Sequence, residues 1–150
     1  MVEFEVPFVA GQARPRFVRA TGRAYKSGRD ASAEAWVADA YRAAGGGRTD
    51  GPVAVLVDCF RPLPKGAPRR EGARPYVVKP DADNVAKLVL DGLNGVAWAD
   101  DAQVVALRVV KHHRRRGEAE RTRVRVMAAR ECVALVGQDL EDFEDNDGEG

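Results

Sequence analysis

Apolar and polar residues alternate from Val2 to Val9, the period of a half-buried strand. A second alternation, with Val53, Val55, Val57 and Cys59 on one side, predicts a strand from Pro52 to Phe60, the clearest in the chain. Val104 to Val110 and Arg121 to Met127 carry the same signature, and the short basic loop between them suggests an antiparallel pair. The period lengthens to that of a helix in two places. One helix is expected from a cap at Asp30 or Ser32 to about Ala44, with Trp36, Val37, Ala40, Tyr41 and Ala44 on one face, and Gly45-Gly46-Gly47 ends it. The other runs from Asn84 to Leu93, with Val85, Leu88, Val89 and Leu93 turned inward and Asn94-Gly95 as its stop. Gly11 to Lys26, punctuated by Gly and Pro, reads as a basic hairpin or ordered loop, and Arg61 to Arg74 as a mobile basic loop. This order predicts a single α/β (α+β) domain with a mixed sheet and two helices packed on it.

The length of 150 residues suits one domain with one core, and 45% hydrophobic with 31% charged residues describes a globular chain. No apolar run is long enough to span a bilayer, and the first residues lack the layout of a signal peptide, so a cytoplasmic location is expected. Cys59 and Cys132 lie in apolar surroundings and are expected to be buried free thiols. The net charge of +1 hides an asymmetry. Seven acidic residues and no basic one lie from Asp139 onward; removing them from the total of 23 leaves 16 against 24 basic residues, a net of +8 for residues 1–138. A body of residues 1–130 followed by an extension, 131–150, with an acidic end is therefore expected. The basic body points to a polyanionic partner, and the tail to solubility or to weakening of non-specific binding.

The candidate chemistry sits in Lys79-Pro80-Asp81-Ala82-Asp83-Asn84-Val85-Ala86-Lys87, with Asp91 and then Asp100-Asp101. Carboxylates crowded in this way repel one another unless a cation lies among them. Asp81 and Asp83, two apart, project to one side of an extended segment, and Asp83 or Asn84 is placed to cap the helix that follows. Lys87 falls four residues from both Asp83 and Asp91 on the polar face. The turn at Asp100 and Asp101 is expected to return a carboxylate to the helix N-terminus. Hard divalent ions take such oxygen ligands, and a lysine alongside suits a phosphate. A calcium loop beginning at Asp81 is excluded, because its sixth position is Ala86 and its twelfth Gly92. The Asp-x-Asp-x-Val motif of haloacid-dehalogenase-type phosphatases belongs at the end of a first strand, whereas half of this chain precedes it. His112 and His113, adjacent on a strand, point to opposite faces and suit a phosphate-contacting loop better than one metal. Core packing is expected of Trp98 and Tyr76.

Lys79-Pro80-Asp81-x-Asp83-Asn84-x-x-Lys87-x-x-x-Asp91-x-Leu93-Asn94-Gly95, then Trp98-x-Asp100-Asp101-x-Gln103, closely resembles the RusA family of Holliday junction resolvases. Pro7, Gly11-Gln12-Ala13-Arg14-Pro15-Arg16-Phe17, Gly22 and Tyr25 resemble its phage and prophage branch, and the similarity spans about residues 2 to 128. The resemblance implies a homodimeric, Mg²⁺-dependent endonuclease (Mn²⁺ as a substitute) that cuts four-way DNA symmetrically, in a bacterial or phage-infected cell. It implies Asp81, Asp83 and Asp101 as metal ligands, Asp100 as a secondary one, and Lys87 as the lysine needed for cleavage. The basic residues expected to hold DNA are Arg14, Arg16, Arg19, Arg23, Lys26, Lys65, Arg69, Arg70, Lys79, Lys111, Arg114, Arg115 and Arg116. Gln12 stands where that branch usually has lysine, and the 61–74 loop is unusually rich in Arg and Gly.

Overall fold

The computed structural model describes residues 1–12 and 28–132, together with the backbone of residues 16–18 and 23–25. Arg14, Arg19 and Lys26, the side chains of Arg16 and Arg23, and the acidic tail lie outside the described residues.

The strands are β1 (Val2–Val6), β2 (Arg16–Val18), β3 (Arg23–Tyr25), β4 (Val53–Phe60), β5 (Ala73–Arg74), β6 (Val104–Lys111), β7 (Arg114–Arg115) and β8 (Arg121–Ala128). The helices are α1 (Gly28–Ala43) and α2 (Ala82–Leu93), with a 3-10 turn at Asp101–Gln103. A four-stranded mixed sheet has the order β1-β8-β4-β6. β4 pairs in parallel with β6 and antiparallel with β8. The single α+β domain with a mixed sheet and two helices is as the hydrophobic periods predict, and β2 and β3 form the expected antiparallel hairpin.

One pairing differs. β6 and β8 do not pair with each other, because β4 lies between them. All residues of β4 except Phe60 are buried, so it needs strands on both edges and cover on both faces, which a central position supplies. The loop from β6 to β8 therefore crosses the end of β4 instead of making a tight hairpin.

Val53, Val55, Val57 and Cys59 face the main core with Phe4, Val6, Val124, Val126, Tyr41, Val85, Val89, Leu93 and Trp98. The opposite face carries Ala54 and Leu56 against Met127 and Cys132. Both cysteines are free and buried, in separate clusters. Burial, then the charge of Asp58, pushes the Cys59 thiol up to about 12, so it stays protonated and inert. α1 and α2 cross closely at Gly92, where a Cβ would come within 3.0 Å of the Glu34 carbonyl oxygen. The expected stop after α2 is present: Gly95 has φ of 80°, a conformation glycine adopts without cost. No helix among the described residues is long and apolar enough to cross a membrane.

Two further expectations are corrected. Trp36 is not a core residue: Val37, Ala38 and Tyr41 are the apolar residues buried on α1, and Trp36, about 100° around the helix from Val37, is 53% exposed. The 61–74 segment is anchored. Leu63 and Ala67 are buried, and β5 pairs with β7. Arg114 Nε donates to the Pro62 carbonyl (3.0 Å) and Arg116 Nη2 to those of Ala67 and Pro68 (3.2 and 2.7 Å). Basic residues expected to grip DNA thus spend donors on satisfying loop carbonyls.

Candidate nuclease site

α2 begins after a bend at residues 78–80, and Asp81 occupies its N-cap position with extended backbone (φ −71°, ψ 150°). It makes no capping bond from its side chain. The expected caps, Asp83 and Asn84, lie inside the helix, with Asp83 in its first turn. Asp81, Asp83 and Lys87 are exposed, and no hydrogen bond or ion pair engages their side chains among the described residues. A carboxylate at a cap position without a capping bond retains both oxygens for another partner.

The approach to α2 is rigid. The chain from Val9 to Gln12 lies against the first turn, with Gln12 N–H donating to the Asn84 carbonyl (3.0 Å). Gly11 permits this approach, since a Cβ there would come within 2.8 Å of Asn84 Cβ and 2.9 Å of Pro80 Cβ. Arg61 Nη1 donates to the Lys79 carbonyl (2.7 Å) and Lys111 Nζ to that of Val78 (2.8 Å). Lys111 also lies over the buried Tyr76 ring, 4.3 Å from its centroid, so Tyr76 is a core residue as expected. A cavity of about 540 Å³ opens here, walled by Gln12, Arg29, Arg61, Lys79, Asp81 and Asn84 among others.

Asp101 is placed elsewhere, at the start of the 3-10 turn beyond the other end of α2. A helix of 12 residues is about 18 Å long, and Gln103 ties this turn to the carbonyls of Thr49 and Gly51, before the first residue of β4. The site of Asp81 lies instead beside Arg61, just after the last residue of β4. The expected return of a carboxylate to the helix N-terminus does not occur within one chain. No three His, Cys, Asp or Glu side chains converge on a metal-sized site among the described residues.

The motif around Asp101 nevertheless has a clear logic. Trp98 is wholly buried and donates its indole N–H to Asp101 Oδ1 (2.8 Å). Asp100 caps the turn, accepting from Ala102 N–H (2.9 Å), while Gln103 Oε1 accepts from the N–H groups of Ala99 and Asp100 (2.9 and 3.3 Å). Asp100 is therefore occupied as a cap, whereas Asp101 is fixed through one oxygen by the indole and no described residue engages the other. Trp98→Phe, which keeps a phenyl ring but removes the donor and part of a wholly buried indole, is expected to lower stability by about 1–3 kcal/mol, read by denaturant unfolding.

Among the basic residues, Lys65, Arg69, Arg70, Lys79 and Arg115 are exposed. His113 is exposed too, whereas His112 is turned inward to Asp58, with Nε2 2.6 Å from Oδ1. Asp58 was invisible to motif reasoning, although an aspartate within so apolar a strand is itself a signal. Its buried carboxylate also accepts from Arg123 and Arg125 (3.3 and 3.1 Å), with Arg108 at 3.9 Å. Burial alone raises this carboxyl. The hydrogen bond and charge of His112 and the charges of Arg123 and Arg125 outweigh that effect and hold it at about 2.

The protein-family model described as endodeoxyribonuclease RusA matches residues 7–127, which include Asp81, Asp83, Lys87 and Asp101. The chain belongs to the RusA family. A protein of Bacillus subtilis (strain 168), the uncharacterized protein YqaN, is 41% identical over 85 residues, 51% of this chain and 56% of that protein. This RusA-family chain thus spans about half the length of that curated relative.

Proposed function

We propose that this RusA-family protein is a metal-dependent endodeoxyribonuclease that resolves four-way DNA junctions by paired, symmetric phosphodiester cleavage in recombination and repair. The observation that carries the reading is the family match over residues 7–127, because it includes the carboxylates and lysine that the fold leaves uncommitted. Asp81, Asp83 and Asp101 form an oxygen-only donor set, which suits Mg²⁺ and, second, Mn²⁺. Asp81 and Asp83 would hold the ion, with Asp101 completing the set; when bound, it supplies water activation and charge neutralisation at phosphorus. Lys87, one turn into α2, faces the phosphate, and Lys65, Arg69, Arg70, Lys79 and Arg115 hold the flanking backbone.

The separation of Asp101 from Asp81 and Asp83 favours a homodimer with shared sites. β6 is an edge strand of the described sheet, and its Val105 and Leu107 are 62% and 44% exposed. An edge with exposed apolar side chains suits a two-fold partner. An antiparallel meeting of two α2–β6 flanks brings Asp101 of one copy to the α2 N-terminus of the other. Two equivalent sites then match the approximate two-fold symmetry of a four-way junction.

Cleavage of a fixed four-way junction, with linear and Y-shaped DNA as controls, tests the reading. Expected is Mg²⁺-dependent paired cutting of the junction alone; equal rates on all three would leave a less selective nuclease, and no cutting with any divalent ion a DNA-binding protein. Lys87→Ala should lower kcat by about 10²-fold or more with little change in junction affinity. A loss confined to affinity would make Lys87 a phosphate clamp instead.

A further inference from the structure

The cavity beside Asp81 continues into a second one of about 310 Å³, and the two share Val9, Ala10, Arg29, Ala33 and Arg61 in their walls. The far end is aromatic. Phe8 and Trp36 meet edge to face with centroids 5.8 Å apart, and Trp36 keeps 53% of its surface exposed. Core packing does not account for a tryptophan on the solvent side of α1. Arg61 is pinned at the middle of the trough by Glu120 (3.1 Å) and by the Lys79 carbonyl (2.7 Å), and Arg29 stands exposed on the first turn of α1. At the near end Gln12, only 6% exposed, donates Nε2 to Glu34 (2.8 Å), while its Oε1 has no partner among the described residues.

Two arginines along one trough and an exposed aromatic ring at its end are the components of a single-strand track. A double helix is too wide for cavities of this size and keeps its base faces stacked, whereas an unpaired strand presents both phosphates and bases. We propose that the trough from Asp81 to Trp36 binds a short unpaired stretch of DNA, with Arg29 and Arg61 on its phosphates and a base stacked on Trp36. The inference rests on the nuclease reading for its purpose: opening of base pairs at the point of exchange would free a short single strand, and this surface would hold it in line with the carboxylates. Glu120 and Asp30 also line the trough, so phosphate contact falls to Arg29 and to the outer edge of Arg61.

The probe is an eight-residue oligothymidylate titrated into the full chain without metal, followed by tryptophan fluorescence. Trp98 is wholly buried, so a quench reports Trp36. Expected is a saturable quench that weakens with salt, and an affinity loss of about 5- to 150-fold in Trp36→Ala, measured by anisotropy of labelled oligomer. Trp36→Phe should recover part of it, and Arg29→Gln should flatten the salt dependence. Both positions are exposed, so the variants should remain folded, which circular dichroism checks. Unchanged affinity in Trp36→Ala and Arg29→Gln would overturn the proposal. So would dissociation of a dimer on Trp36→Ala with oligomer affinity unaltered, since the aromatic end would then be a contact between copies. Oligomer binding that depends on Trp36 in a protein that cuts no junction would uphold the track and reject the nuclease reading; junction cutting without such binding would do the reverse.

Discussion

On the proposed shared-site dimer, mixing the Asp83→Asn and Asp101→Asn variants, each inactive alone, should restore about a quarter of wild-type cleavage. Random exchange of subunits makes half of the dimers mixed, and each mixed dimer holds one intact site and one doubly altered site, so about a quarter of all sites are whole. The products are diagnostic as well. On that proposal one working site per dimer gives singly nicked junctions, and two give paired cuts. The prediction follows from the length of α2, which holds Asp101 away from Asp81 and Asp83 within a chain. If the three carboxylates instead belonged to one chain, every site in a mixed dimer would carry one substitution and no activity would return. Junction binding by both variants, measured without metal, separates that outcome from failure to bind DNA.

Asp58→Ala should destabilise the protein by about 3–5 kcal/mol in denaturant unfolding, the range for removing one partner of a buried charged group. Three arginines and His112 are arranged around this one wholly buried carboxylate, so its loss leaves positive charge facing positive charge on the sheet. A loss below about 1 kcal/mol would mean that the arginines relax to other partners. The acid limb of stability carries the same information. The folded carboxyl is held at about 2 against an ordinary 3.8, so its contribution is complete above about pH 4 and is lost as pH falls toward 2. The shift corresponds to about 2 kcal/mol, and Asp58→Asn should flatten the decline over that window.

The two elements closest to the chemistry were the most legible. α2 was readable because Val85, Leu88, Val89 and Leu93 repeat at helical spacing, and each is buried. β4 was readable because its alternation is strong, although burial of both faces was not, since that alternation marks only the side of Val53, Val55, Val57 and Cys59. Trp36 was misplaced for a related reason: its neighbour Val37 defines the buried stripe, and periodicity does not decide which of two adjacent large residues turns inward. The basic residues were read by charge alone. Arg114, Arg116 and Lys111 turned out to hold backbone carbonyls, a use that depends on where a loop passes and leaves no mark in local sequence.

The chemical inventory was legible in the residues alone: the carboxylates and lysine around α2, the tryptophan turn at Asp101, and a basic body. Local spacing suffices there, because a helix of known rise and a cap position place their own residues. Only the tertiary structure decided the arrangement. It put β4 between β6 and β8, turned His112 to Asp58, and left Trp36 at the end of the trough that leads from Asp81. It also set Asp101 at the far end of α2 from Asp81, because the chain leaves α2 at its C-terminal end and must enter β6 parallel to β4. A carboxylate cluster that is close in sequence is thereby divided by the length of one helix, and the proposed two-fold dimer would reunite it.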